Sequence, residues 1–224
     1  MKRFFTSDLH FSHRNVINYC KRPYKDVTEM NNAIVQEWNR VVGPDDIVYI
    51  LGDVSLNPKV VEEWVPKLNG VLYLIHGNHD ATYPIAHGKP NRKASKMKER
   101  YHTAGFKAVL DQTTVELKNG RKVLLSHLPY SSTKNYDDRF MDMRPKDNGL
   151  FLLHGHLHAK YLKNKNMIDV GWDQKHSLFS EEEIINLIDN KKQFIYSTLY
   201  PRKTFFQWIK SLLEPKRKKY GKEV

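Results

Sequence analysis

Three short runs of strand-forming residues alternate with stretches of helical periodicity in the first 80 residues of this 224-residue chain. The runs are 2–6, 47–51 and 71–75, and apolar residues recur at helical spacing between them. Thr28 is a plausible N-cap of the first of these helices. This β-α-β-α-β order predicts a largely parallel sheet that is covered by helices. Because the carboxyl ends of parallel strands meet at one edge of a sheet, we expect the residues that follow these runs to lie close together.

Five short polar motifs are present, and most of them directly follow a run of strand-forming residues. Their possible metal ligands are two Asp, one Asn and four His: Asp8, His10, Asp53, Asn78, His127, His156 and His158. Such a mixture without cysteine suits Mn best, with Fe, Zn, Ni or Co as alternatives, and disfavours Ca²⁺. Asp53 follows a central strand and is the candidate carboxylate that bridges two divalent cations.

Shorter elements are predicted after the first 80 residues. A basic helix is expected at about 92–102. Asn119-Gly120 predicts a type I′ turn between strands at 113–118 and 121–126. Ser180, followed three residues later by Glu183, predicts a capping box at the start of a helix.

Charge is concentrated in two segments of the chain, whose formal net charge is +12. Residues 89–100 hold six Lys/Arg and one Glu, a net +5, and residues 201–224 hold eight Lys/Arg and two Glu, a net +6. This distribution predicts a polyanionic partner such as nucleic acid. A solvated basic tail explains the pattern equally well.

Location is predicted from what the sequence lacks. No apolar stretch approaches the ~20 residues of a membrane span, so no transmembrane segment is expected. The residues after Met1 lack the apolar region of a signal peptide, and the single Cys20 cannot form an internal disulfide. A cytoplasmic location is therefore expected, whereas the oligomeric state is left open.

The order of the five motifs carries a family resemblance. Asp-x-His, Gly-Asp, Gly-Asn-His-Asp, His and Gly-His-x-His occur at Asp8–His10, Gly52-Asp53, Gly77–Asp80, His127 and Gly155–His158. This order resembles that of the calcineurin-like metallophosphoesterases, in particular the small stand-alone bacterial and phage members. The Asp-Arg pair of the protein phosphatases is missing after Gly52-Asp53, which makes a protein phosphatase less expected.

The resemblance implies a four-layer α-β-β-α sandwich, with two mixed sheets flanked by helices. A metallophosphoesterase domain would span 1–200, followed at 201–224 by an amphipathic helix and the basic tail. The implied ligands of one metal are Asp8, His10, Asp53 and His158, and those of the other are Asp53, Asn78, His127 and His156. His79 would contact the phosphoryl group and protonate the leaving oxygen, and Asp80 would orient His79.

The expected function is hydrolysis of phosphodiesters, in nucleotides or nucleic acid, by a hydroxide that bridges two metals. The first alternative is a phosphomonoesterase acting on a small molecule or a phosphoprotein. The second is a nucleic-acid-binding protein with a vestigial metal site. His13, Arg139 and Arg144 are candidate substrate contacts, although a solvated loop also explains the two arginines, and Arg22 has the same two interpretations.

Overall fold

The computed structural model describes residues 1–86, 89–131 and 140–189. The strands are β1 (Arg3–Thr6), β2 (Ile47–Ile50), β3 (Val71–Ile75), β4 (Ile85–Ala86), β5 (Lys89–Pro90), β6 (Phe106–Leu110), β7 (Thr113–Glu116), β8 (Lys122–Leu125), β9 (Phe151–His154), β10 (Lys163–Asn164), β11 (Met167–Asp169) and β12 (Phe179–Ser180). The helices are α1 (Arg14–Tyr19), α2 (Val27–Val41), α3 (Pro58–Trp64), α4 (Ala94–Ala104) and α5 (Glu181–Asp189), with 3-10 turns at Val65–Lys67, Met141–Met143 and Trp172–Gln174.

Two mixed five-stranded sheets lie at the centre of the molecule, which confirms the predicted class of two mixed sheets with helices. The first sheet has the order β12-β1-β2-β3-β6, in which β1, β2, β3 and β6 are parallel and β12 is antiparallel to β1. The second has the order β10-β11-β9-β8-β7, with three parallel central strands and antiparallel edge strands. The β-α-β-α-β order expected from the sequence is confirmed in the first sheet.

Alternation along the strands sends neighbouring side chains into different cores. Phe4 packs with Ile34 and Trp38 in the core beneath the helices, whereas Phe5 packs with Leu125 and Leu153 between the two sheets. Helices α1 to α4 all contribute to the first core and therefore cover one face of the first sheet. A smaller cluster lies on the outer face of the second sheet.

Helix ends follow the chemistry of their capping residues. The Asp26 side chain accepts a hydrogen bond from the Glu29 amide at 2.8 Å, so Asp26 caps α2, and the prediction that Thr28 does so is wrong. The Ser180–Glu183 capping box is confirmed, with amide-to-side-chain distances of 2.8 and 3.2 Å. The basic helix begins and ends two residues later than predicted.

The hairpin of β7 and β8 is confirmed, but its predicted type I′ turn is wrong. Asn119 has no positive φ, whereas a type I′ turn requires one at both central residues. The Gly120 amide instead donates to the Leu117 carbonyl at 2.8 Å, and Gly120, with φ 79°, takes the left-handed position that follows the turn. A left-handed residue after the turn restores the twist between the strands, which Gly permits at low cost.

In the described part of the chain, no helix combines the length and apolarity needed to cross a membrane. The predicted amphipathic helix and basic tail at 201–224 lie outside the described residues.

Candidate metal centre

The polar motifs meet at one edge of the molecule, where strands of both sheets end. Asp8, Asp53 and Asn78 follow the parallel strands β1, β2 and β3, and His127 and His156 follow β8 and β9. The Asp8 carboxylate accepts the backbone amide of His156 at 3.0 and 3.2 Å, and Asn78 Oδ1 lies 3.0 Å from His127 Nε2. Side chains from two sheets are thereby gathered into one cluster.

The Asp53 carboxylate lies between the two halves of this cluster. Its Oδ2 is 3.7 Å from His10 Nε2 on one side and 3.4 Å from His127 Nε2 on the other. Its Oδ1 accepts the backbone amide of His79 at 2.9 Å. One oxygen is thus held by the backbone, while the other faces two groups of nitrogen and oxygen donors.

The first donor group consists of Asp8, His10 and His158. Asp8 Oδ1 is 3.9 Å from His10 Nε2 and 4.0 Å from His158 Nε2. Carboxylate and imidazole atoms at such spacing could share one divalent cation.

The second donor group consists of Asn78, His127 and His156. His127 Nδ1 lies 2.7 Å from the Leu51 carbonyl, a distance that fits an N–H donor. The lone pair of the ring is then on Nε2, which faces Asp53. The His156 ring packs edge-on to His127 with centroids 5.2 Å apart. Burial and the neighbouring His127 lower the pKa of His156 to about 2, so His156 stays neutral, as a metal ligand must.

His10 provides the clearest evidence that these residues fit a metal ion. Both ring nitrogens are buried and have no hydrogen-bond partner among the described residues. Burial lowers the pKa of His10 well below its ordinary value, so the ring is neutral. Because an unpaired buried polar group costs free energy, a cation at Nε2 would satisfy an atom that the protein leaves unsatisfied, and the residues present fit a bound metal.

The backbone is strained at the motifs. Asp8, His10, Asp53, His156 and His158 have φ angles of 57°, 52°, 56°, 71° and 48°, respectively. The left-handed conformation costs a non-glycine residue of order 1–3 kcal/mol and persists only where surrounding contacts enforce it. Such strain is typical of functional sites, and its presence at five of the seven donors agrees with a functional role for this edge.

Gly77 provides room for the Asp53 carboxylate. A Cβ atom at Gly77 would overlap Asp53 Oδ1 and lie 2.6 Å from the Asp53 backbone nitrogen. Gly77→Ala is therefore expected to displace Asp53, to lower the free energy of unfolding by about 1–3 kcal/mol and to weaken Mn²⁺ binding. Chemical denaturation and metal titration measure the two effects.

Gly43→Ala is the matched control, because its Cβ would meet Asp46 Oδ2 at 3.4 Å and lie next to none of the seven donors. Unaltered Mn²⁺ binding by a folded Gly77→Ala variant would show that the close approach to Asp53 does not matter.

The Asp80 side chain is buried and binds backbone amides. Its carboxylate accepts the backbone amides of Asp53, Val54 and Gly77 at 2.9, 3.0 and 2.8 Å. Burial and the nearby charge of Asp53 raise the pKa of Asp80. Among the described contacts, Asp80 holds the backbone on both sides of Asp53, and its predicted action on the His79 ring stays a prediction.

His79 and His13 flank the first donor group. The centroid of the His10 ring is 5.8 Å from that of His79 and 5.3 Å from that of His13. His79 is exposed and His13 is half-buried. Partial desolvation by the surrounding protein, reinforced by a neighbouring imidazole, lowers the pKa of both rings. The structure therefore places both predicted residues beside the cluster, with His79 open to solvent.

Of the two arginines predicted to contact substrate, Arg139 lies outside the described residues. Arg144 is buried, and its charge contributes to the lowered pKa of His156. His154 is buried in the core, with Nε2 3.1 Å from the Tyr161 hydroxyl and Nδ1 2.8 Å from the Gly155 carbonyl.

The sequence missed an ion pair beside the first donor group. Arg22 is buried, so the solvated-loop interpretation is wrong, and its Nε donates to Asp173 Oδ1 at 2.7 Å. Asp173 Oδ2 lies 2.8 Å from His158 Nδ1. The sequence did contain a signal for Asp173, because this acidic residue follows the end of β11 by four residues, and the motif residues also follow strands.

Phe140 was missed as well. It has φ 66°, and its ring centroid lies 6.0 Å from that of His156 in an edge-on arrangement. Its neighbours in sequence carry no motif, so no pattern could have assigned it to this edge.

Comparison with known proteins agrees with this geometry. The sequence matches the calcineurin-like phosphoesterase superfamily domain over residues 1–172. It is 32% identical to the gene 66 protein of Mycobacterium phage L5 over 84% of this chain and 94% of that protein. It is 33% identical to an uncharacterized protein of Methanocaldococcus jannaschii over 83% of this chain and 84% of that protein. The crystal structure of a protein of unknown function from Aquifex aeolicus superimposes with a TM-score of 0.61 and 25% identity over 83% of this chain and 98% of that chain.

Proposed function

Because this chain belongs to the calcineurin-like phosphoesterase superfamily and is a metal-dependent phosphoesterase, we propose that it hydrolyses phosphodiester bonds at a site for two divalent cations. The observation that carries the proposal is the position of Asp53 Oδ2, 3.7 Å from His10 Nε2 and 3.4 Å from His127 Nε2. A carboxylate oxygen between two donor groups suits a bridge that screens the repulsion between two cations.

Asp8, His10, Asp53 and His158 would hold one cation, and Asp53, Asn78, His127 and His156 would hold the other. Imidazole, carboxylate and amide donors without a thiolate favour Mn²⁺, with Fe, Zn, Ni or Co as alternatives. When bound, two such cations supply Lewis acidity and a water that is ionised near neutral pH.

We assign proton donation to His79. Its exposed ring lies beside His10, where it can reach the leaving oxygen of a bound ester. Its backbone amide is held by Asp53 Oδ1 at 2.9 Å, so the loop that carries the proton donor is tied to the proposed bridging residue. Asp80 supports the same loop through the Gly77 amide at 2.8 Å.

A diester in nucleotides or nucleic acid is favoured by the basic segment next to the His79 loop. Asn91 donates to the carbonyls of Ala81 and Tyr83 at 3.0 and 2.9 Å, which anchors this segment near the site. Lys89, Arg92, Lys93 and Lys96 are exposed there. Exposed cations near a phosphate-ester site attract polyanions. A nucleic-acid contact through 201–224, the separate C-terminal segment and a cytoplasmic location stay predictions.

The substrate class is tested with bis-p-nitrophenyl phosphate and p-nitrophenyl phosphate in the presence of Mn²⁺. We expect the higher kcat/KM for the diester and loss of both activities with EDTA. Release of p-nitrophenol measures both reactions under identical conditions.

Hydrolysis of the monoester alone would favour the phosphomonoesterase. If neither ester were turned over with any of the five metals while an oligonucleotide still bound, the nucleic-acid-binding alternative with a vestigial site would replace the proposal.

A further inference from the structure

Arg22 and Asp173 form a buried pair behind the first donor group. Their side chains are 0% and 3% exposed. Arg22 Nε donates to Asp173 Oδ1 at 2.7 Å, and a second guanidinium nitrogen donates to Oδ2 at 3.1 Å. This two-point contact fixes the orientation of both planar groups.

The remaining donors of Arg22 reach the backbone of the first motif. They bind the carbonyl of Asp8 at 2.6 Å and that of Leu9 at 2.8 Å. Asp8 has φ 57°, a conformation that needs enforcement by its surroundings. Arg22 thus holds the strained peptide from which the Asp8 carboxylate projects.

Asp173 acts on the other side of the same donor group. Its Oδ2 accepts a hydrogen bond from His158 Nδ1 at 2.8 Å, while His158 Nε2 points towards Asp8 Oδ1 at 4.0 Å. An acceptor at one imidazole nitrogen fixes the tautomer and ring orientation, which leaves the other nitrogen free for a metal.

A buried ion pair is a poor source of stability, because desolvation offsets much of its attraction. Apart from Met30, the described hydrogen-bond partners of these two side chains outside the pair are the carbonyls of Asp8 and Leu9 and the His158 ring. No described contact links it directly to Asn78, His127 or His156. Its effect should therefore be confined to one cation.

We propose that Arg22 and Asp173 are positioning residues for one of the two cation sites, where Arg22 holds Asp8 and Asp173 orients His158. The inference rests on the proposed two-cation site, and it adds a prediction that the site alone does not make. The two cations should respond differently to loss of the pair.

Calorimetric titration of the metal-free protein with Mn²⁺ tests this inference. Wild type should bind two equivalents. Asp173→Ala should weaken one of them by about 10–100-fold and leave the other within about threefold of its wild-type affinity. Asp173→Asn should cause a smaller loss, since its amide oxygen can still accept from His158 Nδ1.

Glu62→Ala is the matched control, because Glu62 makes a two-point contact with Arg100, at 2.6 and 2.8 Å, on the exposed surface. It removes an Arg–carboxylate pair of similar geometry, so both Mn²⁺ affinities should be unchanged.

A second readout follows the His158 ring itself. In long-range ¹H–¹⁵N spectra of the Zn²⁺-loaded protein, wild-type His158 should carry its proton on Nδ1. Asp173→Ala should lose this single tautomer, whereas Glu62→Ala should keep it. A residue with only a structural role would not change the tautomer in a folded variant.

Equal weakening of both sites, or no change in a folded Asp173→Ala, would overturn the inference; if that variant does not fold, the same outcomes are judged in Asp173→Asn. Binding of fewer than two equivalents by wild type would remove its basis. This test is independent of the substrate class. If Asp173→Ala weakens only one of the two Mn²⁺ sites, the positioning role is supported even when the wild-type enzyme hydrolyses only monoesters.

Discussion

Replacing Asp53 by Asn is expected to lower kcat/KM for a phosphodiester by about 10³-fold or more and to abolish binding of the second Mn²⁺. Asp53 Oδ2 is the only carboxylate oxygen among the described residues that lies within 4.0 Å of both His10 and His127. An amide keeps the volume but loses the charge that would hold two cations together. Loss of about 4 kcal/mol of transition-state stabilisation corresponds to about 10³-fold in rate. Steady-state kinetics and metal titration measure the two effects.

Asp46→Asn is the matched control for this change. Asp46 precedes β2, as Asp53 follows it, and its carboxylate accepts the amides of Lys2 and Gly43 at 2.6 and 3.0 Å. This substitution lies at the opposite end of the strand, so it should affect stability and leave kcat/KM within about threefold of wild type. Near-normal activity of Asp53→Asn with two bound Mn²⁺ would contradict the bridging role.

Replacing His79 by Gln should lower kcat by about 10²–10⁴-fold for a diester with an alkyl leaving group, with Mn²⁺ affinity unchanged. The ring lies beside the cluster, yet it makes no hydrogen bond to any of the seven donors within the described chain. Its loss should therefore remove a proton donor without removing a ligand. The decrease should be much smaller for a p-nitrophenyl diester, because p-nitrophenolate leaves without protonation, and this comparison separates acid catalysis from other roles.

His102→Gln serves as the control, because His102 is exposed at the end of α4 and its Nδ1 contacts the Phe106 carbonyl at 3.0 Å. It should behave as wild type with both leaving groups. If His79→Gln slowed the two esters equally, or reduced Mn²⁺ binding, proton donation would not be its role.

Local patterns explain why so much of the fold could be predicted. The strands β1, β2 and β3 and the helices between them have short-range periodicity, and parallel strands must end at the same edge. The convergence of Asp8, Asp53 and Asn78 follows from that geometry. The family motifs supplied the remaining donors, which are His10 after β1 and, after strands of the second sheet, His127, His156 and His158.

Local detail was less predictable where several backbone conformations compete. Asn119-Gly120 correctly indicated a hairpin, yet the same dipeptide fits more than one type of turn. With the observed register of β7 and β8, the turn ends with Gly120 in the left-handed conformation. Asp26 and Thr28 both suit a helix cap, and in the structure it is the Asp26 side chain that accepts the Glu29 amide.

By itself, the sequence determined the alternation of strands and helices at the start of the chain, the residue types that gather at the sheet edge and the class of chemistry they support. Only the tertiary structure decided which oxygen of Asp53 faces both donor groups, and that Arg22 meets Asp173 across 151 positions of the chain. The physical reason is the distance along the chain over which each interaction acts. Periodicity and capping act within a few residues, whereas the orientation of a buried side chain depends on the packing of two sheets that are distant in sequence.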